Sequence, residues 1–248
     1  AWQWKANGGT TTAFSESGSN PGGTYQKNET AGFSIVTYTG TGTAGEVQHG
    51  LSTRPQVVIV KRRDAAGDWP VYHESIGIVQ TLFLNKTDAQ LNTSSYFHTG
   101  WGAATSFPVG TNAATNADGA TYLAYVFAER QGYSKFGKYD GNANANGAFV
   151  YTGFKPAFVL VKMFTSAGYY WRLFDSARST FNAADLLLMP NENWAEFNGG
   201  AHASNIGMDF LSNGFKQRTN HPSINGSGLS YIYMAFAENP FTTSTGVP

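Results

Sequence analysis

Short apolar segments separated by turn residues run along the whole chain. Residues 34–38 are rich in β-branched and aromatic side chains, residues 56–61 are mostly apolar, and residues 69–73 alternate between apolar and polar types. Gly, Asn, Thr and Ser separate these segments, as they commonly separate strands. No segment keeps a helical period for more than about two turns. The pattern predicts an antiparallel all-β protein with only short helical turns, one of them at residues 88–92.

The sequence of one predicted strand occurs twice in full, and residues 1–5 (AWQWK) fit the end of a third copy, with Trp4 in the place of Phe127 and Phe236. Residues 121–129 read TYLAYVFAE, and residues 230–238 read SYIYMAFAE. The similarity extends upstream through glycines, prolines and large apolar residues: Tyr38 with Tyr139, Gly50 with Gly153, Pro55 with Pro156, Trp69 with Trp171, and Phe107 with Phe215. Self-similarity at a long period indicates repeated modules. Because the matched residue types set turns and core packing, we expect two copies of one fold and no reactive set kept in both.

The repeat defines the expected domain organisation. We predict two tandem, related antiparallel β-sandwich modules of a jelly-roll-like kind, at residues 32–131 and 132–241. Residues 1–31 are expected to be the terminal strand of a preceding repeat followed by a Gly/Thr/Ser-rich linker. Residues 242–248 are expected to be a polar tail.

The charge balance argues against two classes of partner. The chain has 16 basic and 16 acidic residues, so its formal net charge is zero. Nucleic-acid binding through phosphate neutralisation is therefore not expected. The sequence contains no run of 18 apolar residues, so no membrane insertion is expected. There is no cysteine, which excludes disulfides and thiolate metal sites.

Two short motifs resemble ligand loops but lack what the ligand needs. Residues 40–45 fit G-x-G-x-x-G, yet no helical run follows to receive a phosphate, so a hairpin turn is predicted. Asp140 begins a loop like that of calcium sites, but Ala145 replaces the required glycine and Tyr151 replaces the bidentate glutamate. We predict no cofactor and no metal.

Catalytic groups are also not expected. His73 next to Glu74 is more simply a polar side chain satisfied by backbone at a strand end. Asp64, Asp68 and Glu74 are the carboxylates that a glycosidase pair would draw on. Asp64 and Asp68 flank what reads as a hairpin tip, which favours solvated loop carboxylates. The chain is therefore predicted not to be an enzyme.

Aromatic residues in polar loops are the better candidates for binding. Tyr96 and Trp101 lie in a Ser/Thr/Gly-rich segment of the first module, and Tyr169, Tyr170 and Trp194 occupy similar places in the second. Loop aromatics can stack on sugar rings or bury themselves in a partner. The alternative is that they cover the end of the sandwich or a subunit contact.

Characteristic segments run through both copies, such as GFSIVTYTG at 32–40 and DFLSNGFK at 209–216. They resemble a module found in structural proteins of tailed phages, notably marine and cyanobacterial ones. The resemblance covers residues 1–8 and about 32–241, and the segments that carry it include GFSIVTYTG at 32–40, VIVKRR at 58–63, GYSKFG at 132–137, FDSAR at 174–178 and DFLSNGFK at 209–216. Such modules belong to tail-fibre-like virion proteins and have no established catalytic residues to carry over. The resemblance implies a non-catalytic part of a virion.

The resulting hypothesis is a tail-fibre or adhesin-like segment that attaches to, or spaces a binder of, a host-surface glycan or protein. Its other expected partners are virion proteins and further copies of itself, since fibres are commonly trimeric. Two alternatives stay open at this point. One is a capsid decoration or shell protein, and the other is a polysaccharide depolymerase.

Overall fold

The computed structural model describes residues 3–6, 8–203 and 205–241, so the tail expected at residues 242–248 lies outside the described residues. Residues up to 84, together with 90–129, form one compact unit, called unit 1. Residues 85–89 and those from 130 onward form a second, unit 2. The predicted all-β class is confirmed in both units. None of the described helices is long and apolar enough to cross a membrane.

Among its described residues, unit 1 contains ten strands and two short helices. The strands are β1 (Thr12–Phe14), β2 (Gly23–Asn28), β3 (Phe33–Thr39), β4 (Gly45–Gln48), β5 (Val57–Arg62), β6 (Pro70–His73), β7 (Gln80–Phe83), β8 (Leu91–Asn92), β9 (Ser106–Val109) and β10 (Thr121–Phe127). The helices are the 3-10 helix η1 (Glu74–Ile76) and the α-helix α1 (Ala113–Asn116).

The described part of unit 2 contains nine strands and one short helix. The strands are β11 (Ser134–Asp140), β12 (Phe149–Tyr151), β13 (Pro156–Met163), β14 (Arg172–Asp175), β15 (Leu186–Leu188), β16 (Phe197–Asn198), β17 (Met208–Leu211), β18 (Gly214–Gln217) and β19 (Ser230–Ala237). The helix is α2 (Pro222–Asn225).

The two units share one strand order. In unit 1 the larger sheet runs β1-β2-β3-β10-β5-β6-β7-β8, and in unit 2 it runs β11-β19-β13-β14-β15-β16. From β3 onward each strand of unit 1 has a counterpart of the same rank in unit 2. The smaller sheets are β4-β9 and β12-β18-β17, and they differ by the added β17. This common topology is what the sequence repeat predicts.

Each core lies between the larger and the smaller sheet of its unit. In unit 1, Val60 of β5 and Ala124 of β10 belong to the same apolar cluster as Phe107 of β9. In unit 2, Val161 of β13 belongs to the same cluster as Phe215 of β18. Burial of such side chains stabilises the fold by about 1.5–3 kcal/mol each. The repeated strands β10 and β19 lie centrally, with neighbours on both sides, which explains their apolar residues on both faces.

A buried polar network recurs beside each core. Tyr38 and Tyr122 stack with ring centroids 5.0 Å apart, and the hydroxyl of Tyr38 donates to the carbonyl of Thr115 in α1 (2.6 Å). Tyr139 and Tyr231 stack at the same distance in unit 2, where Tyr139 donates to the carbonyl of Ile224 in α2 (2.8 Å). These hydroxyls fix each short helix to its sheet.

Residues 9–31 are not the linker that their composition suggests. β1 and β2 pair with each other and β2 pairs with β3, which widens the larger sheet of unit 1. The hydroxyls of Thr24 and Thr37 hydrogen-bond across the β2–β3 pair (2.8 Å), and Tyr25 packs on the core. Side chains of β2 thus bond to β3 or pack on the core. A high content of Gly, Thr and Ser does not by itself reveal such contacts.

Three further expectations are corrected. Residues 3–6 form no strand, although Trp4 contacts Phe127 edge to face at 6.0 Å. Residues 88–92 form no helical turn, because Leu91 pairs with Thr81 and starts β8. The glycine-rich residues 40–45 do not form a hairpin turn, because they join β3 to β4 in a different sheet. The strand β4 occupies the position after those glycines, where the sequence shows no helical pattern.

Candidate functional site

Of the three carboxylates weighed for glycosidase chemistry, Asp68 and Glu74 lie at opposite ends of β6. Asp64 lies in the β5–β6 hairpin connection and forms an ion pair with Arg62 at 2.7 Å. The hydrogen bond from Arg62 lowers the pKa of Asp64 below its ordinary value. Asp68 precedes β6 and Glu74 follows it, so at least roughly 13 Å of strand separates them. A glycosidase pair needs its carboxyl groups within about 10 Å.

Histidine side chains mainly shape turns. The Nδ1 atoms of four of the five histidines accept a hydrogen bond from the amide two residues later: His49 from Leu51 (3.1 Å), His73 from Ser75 (3.2 Å), His98 from Gly100 (2.8 Å) and His221 from Ser223 (3.1 Å). The backbone-satisfied interpretation of His73 is confirmed.

The loop that resembles a calcium site uses its oxygens internally. The amide oxygen of Asn142 accepts from the backbone of Asn144 (3.0 Å), and that of Asn144 accepts from Asn146 (2.8 Å). Asp140 accepts from the hydroxyl of Ser230 at 2.5 Å. Over the described ranges, no three metal-binding side chains come together.

The two aromatic candidates of unit 1 are built into the sandwich. The indole of Trp101 donates to the carbonyl of Ser106 (2.7 Å), and its ring meets Tyr72 at 5.0 Å. The guanidinium of Arg54 covers the ring at 4.7 Å. Tyr96 is half-buried and meets Phe83 edge to face at 5.3 Å. Both residues therefore cover the core, the second of the two roles that their loop positions allow.

Of the three aromatic candidates in unit 2, one is exposed and two are partly buried. Trp194 is 54% exposed, and its ring lies 5.1 Å from that of Tyr170. Tyr169 and Tyr170 are partly buried against the core. The side chain of Asn191 accepts from the backbone of Trp171 (3.0 Å), which ties the Tyr170 loop to the Trp194 loop. We call Tyr170 and Trp194 the aromatic pair, because together they present a ring surface held by two loops.

A buried cation follows Tyr170 of the aromatic pair by two residues in the sequence. Arg172, the first residue of β14, is only 5% exposed, and its guanidinium lies 5.8 Å from the ring centroid of Phe197. Within the described chain, its Nε and Nη1 atoms have no hydrogen-bond partner. Burial lowers the pKa of Arg172 to about 10, and the neighbouring Tyr170 opposes that shift. The side chain therefore remains a cation at neutral pH.

Two histidines complete this region. His202 lies 6.0 Å from Phe197, and His221 lies 5.2 Å from His202, both measured between ring centroids. Burial lowers the pKa of His221 to about 4, and electrostatic interactions with Arg172 and with His202 lower it further. We call Arg172, Phe197, His202 and His221 the Arg172 cluster.

Sequence reasoning missed this cluster because its members are far apart in the chain. One signal was available, since Arg172 stands where the first copy has Pro70. A charged residue next to a matched tryptophan, at the start of a buried strand, is unusual. It could have marked Arg172 as a residue with a function of its own.

The comparisons give a family and no function. A family model described as a domain of unknown function, DUF7483, matches residues 1–240. Neither the curated proteins nor the solved structures contain a match to this chain. Since the family model spans nearly the whole sequence, the chain belongs to the DUF7483 family.

Proposed function

We propose that this chain is a structural segment of a tailed-phage virion, tail-fibre-like, that attaches the particle to a host-surface glycan without catalysing a reaction. The observation that carries the proposal is the aromatic pair. Trp194 is 54% exposed and its ring lies 5.1 Å from that of Tyr170, so the exposed indole offers a face on which a sugar ring can stack. Other virion proteins and further copies of the chain are its assembly partners in this proposal.

Two further features support attachment. The resemblance of segments such as residues 32–40 and 209–216 to phage structural modules implies a virion part. The tandem sandwiches place loops at the ends of rigid sheets, an arrangement that commonly carries binding residues.

Replacement of Trp194 tests the proposal. The protein is applied to a glycan array and to envelopes of candidate host bacteria, with Trp194→Ala beside it. Loss of the stacking surface is expected to weaken binding by about fivefold or more, since the stacking of a nucleic-acid base on one aromatic ring is worth about 1–3 kcal/mol. Phe181→Ala is the matched control, because Phe181 is an 85% exposed aromatic of the same unit outside the pair.

Equal binding by the wild-type protein and Trp194→Ala would contradict the assignment of the site. The absence of any binding to glycans and envelopes would contradict the attachment function itself. Electron microscopy of the intact virion separates a tail location from a head location, and density on the head would favour capsid decoration.

A further inference from the structure

We propose that β12 is an assembly edge, where unit 2 of one chain pairs with unit 2 of a second copy. The proposed function includes further copies of the chain as partners, and this inference adds the surface through which two of them meet. It does not use the aromatic pair, so either proposal can fail without the other.

The first step concerns the backbone of β12. Within the described part of the chain, β12 is the outer strand of its sheet and pairs only with β18. The amide of Thr152 donates to the carbonyl of Asn213 (3.0 Å), and the bonding groups of successive residues point to opposite sides of a strand. Val150 therefore bonds to β18, whereas the amides and carbonyls of Phe149 and Tyr151 point away from it. No described residue bonds to these outward groups.

The second step concerns the side chains of β12. Val150 belongs to the core cluster, so Phe149 and Tyr151 lie on the opposite face of the strand, where they are 46% and 62% exposed. Edge strands of soluble proteins usually carry charged residues or proline, which prevent pairing with another chain. β12 and the flanking residues Ala148 and Thr152 have neither. The sequence of this edge therefore does nothing to prevent pairing.

The third step compares the same edge in unit 1. β4 is the counterpart of β12, and its two outward side chains, Glu46 and Gln48, are polar. The amide of Glu46 donates to the side chain of Asn20 (2.8 Å), and a Cβ atom on Gly45 would lie within 2.1 Å of the carbonyl oxygen of Ser19. The turn between β1 and β2 thus covers the edge of β4.

The fourth step identifies the occupant of the β12 edge. Residues 128–133 alone join β10 to β11, so unit 2 has no hairpin of its own before its first strand. A second copy of β12 fits the edge instead. Two antiparallel β12 strands related by a two-fold axis at Val150 place Phe149 of each copy opposite Tyr151 of the other. Both residues direct backbone groups to the shared edge, so each opposed pair forms two hydrogen bonds, the rings pack across the strands, and no like charges are opposed.

The test measures self-association of the full chain. Sedimentation velocity is run at protein concentrations up to about 1 mM, because a small interface gives weak association. The wild-type protein is expected to form a dimer with twice the 26.7 kDa mass of one chain. Phe149→Lys/Tyr151→Lys should raise the dissociation constant at least tenfold, since like charges then face each other. Phe181→Lys/Leu188→Lys, the same change at two other exposed apolar residues of unit 2, should leave it unchanged.

Charge complementation tests the pairing itself. Phe149→Glu/Tyr151→Glu is also expected to stay monomeric, whereas an equimolar mixture of the lysine and glutamate variants should form a heterodimer at least tenfold more tightly than either variant associates alone. Recovery in the mixture also shows that both variants are folded. A mixture that associates no better than its components would overturn the proposed pairing.

Amide exchange tests the hydrogen bonds. In nitrogen-15 spectra of the wild-type protein, the amides of Phe149 and Tyr151 are expected to exchange with solvent at least tenfold more slowly at high than at low protein concentration. The amide of Glu46, already bonded to Asn20, should not depend on concentration. Association without protection of Phe149 and Tyr151 would overturn the role of the β12 edge.

A wild-type protein that remains monomeric at about 1 mM would overturn the inference, as would association that the lysine variant retains. If such a monomer binds glycans in a Trp194-dependent manner, the proposed function stands and this inference alone fails. Association through β12 without any glycan binding would support the assembly edge and contradict only the attachment function.

Discussion

At the scale of single residues, two glycines are fixed by a close backbone approach. A Cβ atom on Gly40 would come within 2.3 Å of the carbonyl oxygen of Ala117, and one on Gly141 within 2.3 Å of that of Gly226. Gly40→Ala and Gly141→Ala are each expected to destabilise their unit by roughly 3 kcal/mol, at the upper end of overpacking costs. Urea unfolding measures the change.

Gly67→Ala is the control for both, since a Cβ atom there meets nothing within 4 Å. It should leave stability unchanged or raise it slightly, by up to about 1 kcal/mol. Similar losses for Gly67→Ala and Gly40→Ala would contradict the steric explanation.

His49 makes the stability of unit 1 dependent on pH. Burial lowers its pKa to about 4, although the carbonyls of Ala104 and Ser106 near the ring partly favour the charged form. Unfolded histidine has a pKa of about 6.5, so between these values the unfolded chain binds more protons. The contribution of neutral His49 to the free energy of unfolding is on the order of 3 kcal/mol. It is fully present above pH 6.5 and is lost as the pH falls toward 4.

His49→Asn tests this dependence, because an asparagine oxygen can accept from Leu51 as Nδ1 does and cannot titrate. Unfolding free energies measured between pH 4 and pH 7 should depend less steeply on pH in the variant, by up to one proton. Identical slopes in the two proteins would show that His49 is not the group responsible.

At the scale of elements, the tyrosine hydroxyls determine how the short helices are held. Tyr231 accepts from the amide of Gly226 (2.7 Å) and donates to the carbonyl of Pro222 (2.5 Å), so one hydroxyl spans both ends of α2. Tyr231→Phe leaves these groups without their partner and is expected to cost about 1–3 kcal/mol. Tyr151→Phe, at a 62% exposed position, should stay within about 0.5 kcal/mol of the wild type.

A tyrosine-to-phenylalanine substitution in unit 1 tests whether both copies of the repeat depend on the same hydrogen bonds. Tyr122 accepts from Ala117 (2.7 Å) and donates to Ala113 (2.8 Å), as Tyr231 does around α2. Tyr122→Phe is expected to lower the unfolding free energy by a similar amount. A neutral result in one unit and a large one in the other would mean that the two networks are not equivalent.

At the scale of the whole molecule, unit 2 takes a segment from within the sequence of the first module. The carbonyl of Thr87 accepts from the amide of Gly168 (3.0 Å) and from the ammonium of Lys162 (3.4 Å), which also donates to Met163 (2.6 Å). Burial lowers the pKa of Lys162 to about 8, and Asp88 opposes that shift. The segment 85–89 therefore shields a lysine that lies in a central strand.

A fragment of residues 130–248 lacks this segment and should expose Lys162. With an amine-acetylating reagent, Lys162 of the full chain is expected to react at least tenfold more slowly than the exposed Lys138, and in the fragment at a comparable rate. Mass spectrometry reads the modification, and circular dichroism checks that the fragment is folded. Equal protection of Lys162 in a folded fragment and in the full chain would contradict the shielding role of residues 85–89.

The sequence alone determined the fold class and the repeat, because both depend on local signals. Glycines at turns, prolines at strand starts and apolar runs in β10 and β19 recur at matched positions, and such residue types constrain the backbone directly. The positions of Trp194 and Tyr170 in polar loops were also readable from composition.

Only the tertiary structure decided which of these residues meet. Residues 23–28, which look like part of a linker, pair with β3 as a strand of the sheet. The ring of Trp101 packs against the core, whereas Trp194 is exposed. Arg172, Phe197 and His221 come together although they are far apart in the chain. Contacts of this kind depend on how strands are ordered and how loops fold over them, and no local pattern of residue types encodes that ordering.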